Sequence, residues 1–308
     1  MYGELAAILV TLSFALSFVL ARRIENEATP IFQSSIRASV GFITFFIISL
    51  IFGIIPHITQ LPVLIIIMLS MSILFTVIIG DTAYLFSQRI LGPAKALAIG
   101  NTTPFFTILF ATVFLNRPFT IQMIFSGILI GVGVLIITKK DKELKEESDN
   151  LEISKKSRKK SLKGLIWAFI AAISWAIGLA LSDYSITQTN QILGLGILST
   201  MLAMMIRFMF ATIILNFISV IESRKKSRPK KKNTWLILIL SSILSYSIGS
   251  IFFGEAVHTA GATFMSLIST AMPLFTIPFA YLINKEKLSK KGFLGVIITL
   301  LGVLLILF

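Results

Sequence analysis

The chain has 308 residues, 56% of them hydrophobic and 14% charged, with a mean hydropathy of +0.91. A soluble protein of this length needs far more polar surface, so a water-soluble fold is excluded and lipid is the bulk solvent. With no cysteine there are no disulfides and no thiolate chemistry, and the net charge of +14 sits between apolar blocks, where a membrane face explains it without nucleic acid.

The apolar blocks are about 20 residues long, the length a helix needs to cross the hydrocarbon core. The short alternating segments of transmembrane strands are absent. This predicts an all-α polytopic membrane protein of ten transmembrane helices. The spans lie near 3–21, 31–53, 61–84, 96–115, 119–138, 164–183, 192–221, 234–256, 262–283 and 291–308.

Taken in chain order, the first span carries "LSFALS" (Leu12–Ser17) and the second carries the intramembrane charge Arg37. The third ends on "GDTAY", with Asp81 and Tyr84. The fourth opens with Asn101, Thr102 and Thr103 before Pro104, the head of "PFFTILFA". The fifth holds a GxxxG (Gly127, Gly131), a close-packing or homodimer face. A hydrophilic segment follows from Lys139 to Lys163, whose charge blocks mark a solvated linker. The sixth span carries "ISWAIG" (Ile173–Gly178) with Ser174 and Trp175, and the seventh carries Arg207. The eighth ends at Glu255. The ninth places Ser269 and Thr270 before Pro273, the head of "PLFTIPFA", which also contains Pro278.

The two proline-headed phrases agree at six of eight positions and stand 169 residues apart. The same shift pairs Gly80 with Gly249, Gly92 with Gly261, Thr107 with Thr276, Ala111 with Ala280 and Gly133 with Gly302, and Arg37 lies within one position of pairing with Arg207. The fold unit is therefore written twice, over 1–138 and 164–308, around the linker at 139–163. Five spans is an odd number, so the second copy enters the membrane from the opposite side, as an inverted repeat. Of 28 Lys and Arg residues, 25 fall at the breaks after spans one, three, five, seven and nine, against Arg117 alone at an opposite break. The positive-inside rule then puts the basic loops in the cytoplasm and both termini outside, in a multi-pass protein of the plasma membrane.

These features together resemble the EamA-like members of the drug/metabolite transporter superfamily. The likeness is carried by the Ser-Phe/Trp-Ala pattern of spans one and six, Arg37 and Arg207, the proline-headed phrases, and the closing "NKEKLSKKGFLGVIITLLGVLLIL". It covers the whole chain except the linker. The resemblance implies a basket of spans one to four and six to nine around a central cavity, with spans five and ten to one side. The chain departs from the family pattern after its fourth span, where Arg117 stands in place of the acid that Glu286 supplies in the second half.

Each candidate site residue has two readings. Arg37 and Arg207 are costly to bury and either grip an anionic substrate group or lock the structure by capping carbonyls or pairing with an acid. Arg37, nearer its helix end, is expected to be structural, and Arg207, nearer mid-span, to contact substrate. Asp81 and Glu255 are candidates for coupling to a proton or another ion, against the reading of interfacial acids that snorkel to water or pair with an arginine. Pro104, Pro273 and Pro278 remove backbone donors and are candidate bends or gates. Asn101, Thr102, Thr103, Ser269 and Thr270 beside them either hold a substrate or satisfy freed carbonyls. Ser174, Trp175 and Tyr84 are candidate cavity linings.

The function read from this pattern is secondary transport, with export of small organic metabolites such as amino acids by alternating access. The linker contains no phosphate-binding loop to make ATP the direct energy source. No metal or other cofactor is expected, and the two histidines, His57 and His258, in opposite halves with no paired acid motif, give no support to an enzyme. The expected partners are a small-molecule substrate and the lipid bilayer. The alternatives are a membrane scaffold that holds anionic lipids on its basic loops, and an intramembrane enzyme acting on lipids.

Overall fold

A computed structural model of the chain describes residues 2–91, 96, 99–100, 102–115, 120–138, 151–223 and 228–284, and within the last span 294–295, 297–298, 301–302 and 305. Every regular element among the described residues is helical. They are α1 (Tyr2–Arg22), α2 (Pro30–Ile51), a 3-10 turn (Ile55–Gln60), α3 (Val63–Leu91), α4 (Thr103–Leu115), α5 (Ile121–Thr138), α6 (Leu151–Leu193), α7 (Ile197–Ser223), α8 (Lys232–Ser269) and α9 (Met272–Asn284).

Among the described residues, six helices are long and apolar enough to cross a membrane: α1, α2, α3, α7, α8 and the stretch of α6 from Leu162 to Leu193. Their outward faces are apolar, as at Ile43, Ile47 and Leu50 on α2 and Ile213 and Phe217 on α7. Their inward faces hold serines, threonines, Arg37, Asp81 and Arg207. A helix that must be apolar toward lipid has only its inner face for polar groups, so the polar side chains meet at the centre.

Local chemistry sets the helix ends. Thr29 caps α2, its Oγ1 accepting from the Phe32 amide at 3.2 Å, and Pro30 follows in the first turn, where no N–H is needed. Past the C-terminal end of α2, Gly53 adopts φ 64°. Three boundaries differ from the sequence expectation. The third span does not end near Tyr84 but continues to Leu91, which leaves Asp81 well inside it. The second half of the polar segment is helical from Leu151 and continuous with α6, since its lysines, leucines and glutamate are good helix formers. The eighth span runs on past 256 into the first turns of the expected ninth, to Ser269, as α8 with a break at Gly261 (φ 84°, ψ 164°), a conformation open to glycine.

Two stretches are wound as π-helix, Leu74–Asp81 inside α3 and Ile243–Gly249 inside α8. The 169-residue shift carries one onto the other, and the chemistry beneath them also corresponds. Thr76 Oγ1 donates to the Ser72 carbonyl at 2.8 Å, and Ser245 Oγ donates to the Ser241 carbonyl at 2.8 Å. Hydroxyls that bond back along the helix loosen its backbone register and favour such a bulge. A glycine crossed by an aromatic ring stands next to last in the first π segment and last in the second. A Cβ on Gly80 would lie 2.5 Å from Trp175 Cδ1, and one on Gly249 would lie 3.2 Å from Phe14 Cε2.

The helices pack mostly across the two halves. α2 lies along α7, α1 against α8 and α9, and α6 against α3 and α4. Phe45 and Phe208 stack where α2 meets α7, with ring centroids 5.8 Å apart. At one end of the molecule, Glu27 accepts from Lys231 Nζ at 2.7 Å and from the Thr234 hydroxyl, while Thr29 Oγ1 donates to Glu222 at 2.5 Å. The Lys231 ammonium, aided by Thr234, holds the Glu27 carboxyl below the usual carboxylate range. These bonds tie the turn between α1 and α2 to α7 and α8.

Candidate functional site

A cavity of about 130 Å³ lies among α1, α3, α4, α6, α7, α8 and α9. Most of its wall is apolar, from residues such as Val10, Ile73, Leu179, Met204 and Met265. Two charged side chains, Asp81 and Arg207, reach it.

Asp81 is 6% exposed and has a donor on each oxygen. Trp175 Nε1 donates to Oδ1 at 2.7 Å, and the Tyr246 hydroxyl donates to Oδ2. Both donors come from the second half of the chain, so Asp81 fastens α3 to α6 and α8. The Arg37 guanidinium lies 4.6 Å from the Tyr246 ring centroid and 5.3 Å from that of Phe18. Its Nη2 donates to Ser245 Oγ at 3.0 Å and to Ser17 Oγ at 3.3 Å. Tyr246 thus carries the positive charge of Arg37 on its face and the negative charge of Asp81 on its hydroxyl, which compensates both without a direct ion pair. Arg37 is buried outside the cavity wall.

Arg207 is built differently. Its Nη2 donates to Thr76 Oγ1 at 3.3 Å, and its guanidinium lies 5.2 Å from the Phe253 ring centroid. No carboxylate lies within ion-pairing distance of it among the described residues.

The structure brings Arg207, Trp175, Asp81, Thr103, Ser269 and Thr270 to one cavity. The hydroxyls of Thr103, Ser269 and Thr270 each donate to a carbonyl of their own helix turn, at 2.6, 2.7 and 2.6 Å. Thr102 does the same with Ile99, at 2.8 Å, but stands off the wall. Ser174 and Tyr84 are buried behind the wall, Tyr84 with its ring 5.4 Å from that of Trp175. Glu255 is half-buried on α8 and does not reach the cavity. Asn101 lies outside the described residues.

The bends expected at Pro104 and Pro273 are breaks. Each proline is the second residue of a new helix, α4 or α9, after a turn at Thr102 or at Thr270–Ala271. A proline there loses no helical hydrogen bond, since first-turn amides have no partner to give up. Pro278 does lie inside α9, on its exposed side.

Sequence reasoning missed Tyr246, Thr76, Phe253, Phe18 and Ser250. A signal was present for three of them. The shift that pairs Gly80 with Gly249 also lays Thr76 on Ser245, Val77 on Tyr246 and Asp81 on Ser250. Carried to those positions, it marks the two strips that line the cavity.

A profile of the EamA-like transporter family matches residues 1–139 and 162–308. A protein of Archaeoglobus fulgidus, named as an uncharacterized transporter, is 22% identical over 241 residues, 78% of this chain and 75% of its own length. An uncharacterized transporter of Clostridium kluyveri is 34% identical over 103 residues, 33% of each chain. One of Methanothermobacter thermautotrophicus is 38% identical over 77 residues, 25% of this chain and 22% of its own. A solved crystal structure superimposes with a TM-score of 0.72 at 11% identity, covering 99% of this chain and 96% of that one, a likeness of fold alone.

Proposed function

Since the chain belongs to the EamA-like transporter family, we propose that it is a secondary transporter that exports small organic metabolites, amino acids among them, through the central cavity. The observation that carries this reading is that both halves of the chain build the cavity and are fastened to each other beside it. Trp175 and Tyr246 hold Asp81, Arg207 holds Thr76, and Arg37 holds Ser245. Alternating access is a rocking of the two halves about a site at their interface, and these are the bonds that such a motion would exchange. In this reading the chain crosses the plasma membrane ten times, as inverted five-helix repeats over 1–138 and 164–308 joined by a cytoplasmic linker. The matched π segments of α3 and α8 support the repeat.

Substrate contacts Arg207, Trp175, Thr103, Ser269 and Thr270, while Arg37 holds the structure. Asp81 is the better placed of the two coupling acids, because it is buried at the cavity where Glu255 is not. The test is a screen of metabolites released from cells overproducing the protein, followed by counterflow of the released compounds in proteoliposomes. Export predicts that one class of metabolite accumulates outside and that the same class exchanges in vesicles. A screen in which nothing is released, with no exchange of candidate metabolites, overturns the transporter reading in favour of a scaffold.

A further inference from the structure

The two arginines form a natural comparison within one molecule. Around Arg37 stand Ser17, Phe18, Ser245 and Tyr246, with Asp81 beyond Tyr246. The matching positions around Arg207, by the shift and by the "LSFALS"/"ISWAIG" register, are Gly178, Leu179, Thr76, Val77 and Ser250. One hydroxyl survives, that of Thr76. The second serine is a glycine, both aromatic faces are aliphatic, and the acid is a serine. Gly178 is enforced by packing, since a Cβ there would lie 2.5 Å from Thr76 Cγ2 and 2.8 Å from its backbone nitrogen.

Both arginines leave Nε and Nη1 without a hydrogen-bond acceptor. For Arg37, two aromatic faces and the nearby carboxylate meet the charge. Arg207, 2% exposed, has Thr76, one ring and the cavity. A buried cation stripped of its counter-charge in a low dielectric favours an anion beside it.

We propose that Arg207 anchors a single carboxylate and that the substrate is a compact apolar monocarboxylate, an inference that rests on the cavity being the transport site and narrows the metabolites proposed above to acids without an amino group. One fixed positive charge balances one negative charge, which fits a carboxylate better than a phosphate dianion. The aliphatic and methionine wall accepts an apolar body. Asp81 is the poorer partner for an ammonium group, because it already has a donor on each oxygen and the Arg37 charge beyond Tyr246.

Binding to the purified full-length protein in detergent is read by calorimetry, with isovalerate, isovaleramide, isoamylamine and inorganic phosphate as probes. Isovalerate binds roughly ten- to a hundredfold more tightly than the isosteric amide, the worth of a charge-assisted bond, and the amine and phosphate do not compete. Arg207→Met makes acid and amide equal. Ser250→Asp restores a carboxylate at the position matching Asp81, one turn before Phe253, so it abolishes isovalerate binding and raises the melting temperature. If Arg207→Met fails to fold, Ser250→Asp decides. Equal binding of acid and amide by the unaltered protein overturns the inference. So does a preference that persists in Arg207→Met, or isovalerate binding unchanged in folded Ser250→Asp. Carboxylate-selective binding without isovalerate exchange in proteoliposomes overturns the transport reading alone, whereas exchange of other solutes without that preference overturns this inference alone.

Discussion

Arg37 joins three helices through one guanidinium, bonding Ser17 on α1 and Ser245 on α8 from its own place on α2. Its expected role as a lock implies that Arg37→Met lowers stability by about 1.5–3 kcal/mol, the usual worth of hydrogen bonds to a charged group. A melting curve of the purified variant checks this, and transport should fall only as folded protein is lost. An unchanged melting temperature would remove the lock. At this scale the sequence showed that Arg37 and Arg207 need partners, because an unpaired charge in lipid is costly wherever it sits. It could not show which partners. Asp81 read as an acid near a helix end because the polar run "GDTAYLFSQR" resembles a membrane boundary, yet α3 carries that run onward inside protein to Leu91. Tyr246 stands in the serine-rich stretch "SSILSYSIGS", which hints at an inner face but does not say what its hydroxyl meets.

At the level of the element, the π segments decide where side chains point. The wider turn directs Thr76, Val77 and Asp81 of α3, and Tyr246 of α8, into one cavity. The close aromatic crossing at each segment end gives an unequal pair of predictions. Gly80→Ala sets a methyl 2.5 Å from Trp175 Cδ1, 2.7 Å from its Nε1 and 2.8 Å from the Phe75 carbonyl oxygen. Gly249→Ala meets Leu244 O at 3.1 Å and Phe14 at 3.2 Å, distances that a small adjustment relieves. Gly80→Ala is expected to cost about 1–3 kcal/mol, the range for overpacking a tight site, and Gly249→Ala less. Because Trp175 must shift, its bond to Asp81 should loosen in Gly80→Ala and its fluorescence should change. Equal melting temperatures for the two variants would show that the α6–α3 crossing is less tight than the geometry requires. The repeat of these glycines was plain in the sequence, but the π winding between them was not. Helical periodicity is a pattern of side chains, and a single extra residue per turn in an evenly apolar stretch leaves no mark on it.

Across the whole molecule, the alternation of charge makes the firmest prediction. A reporter fused after Phe308 should read outside, and a tag inserted within 139–163 should read inside. A tag cleaved by protease added to intact cells would reverse the orientation. Lipid as solvent and the all-helical class were legible without coordinates, and the written-twice unit and the basic face are expectations read in the same way. They follow from composition, block length and the spacing of lysine and arginine, which are summed along the chain and survive errors of a few residues at any boundary. The site was not legible in that way. Trp175 reaches Asp81 across 94 positions and Tyr246 reaches it across 165, on helices whose rotation about their own axes is fixed only when they pack. Two arginines that look equivalent as letters become a locked residue and a cavity residue because their neighbours, drawn from both halves of the chain, differ. That difference is made by side chains meeting in space, so only the tertiary structure could decide it.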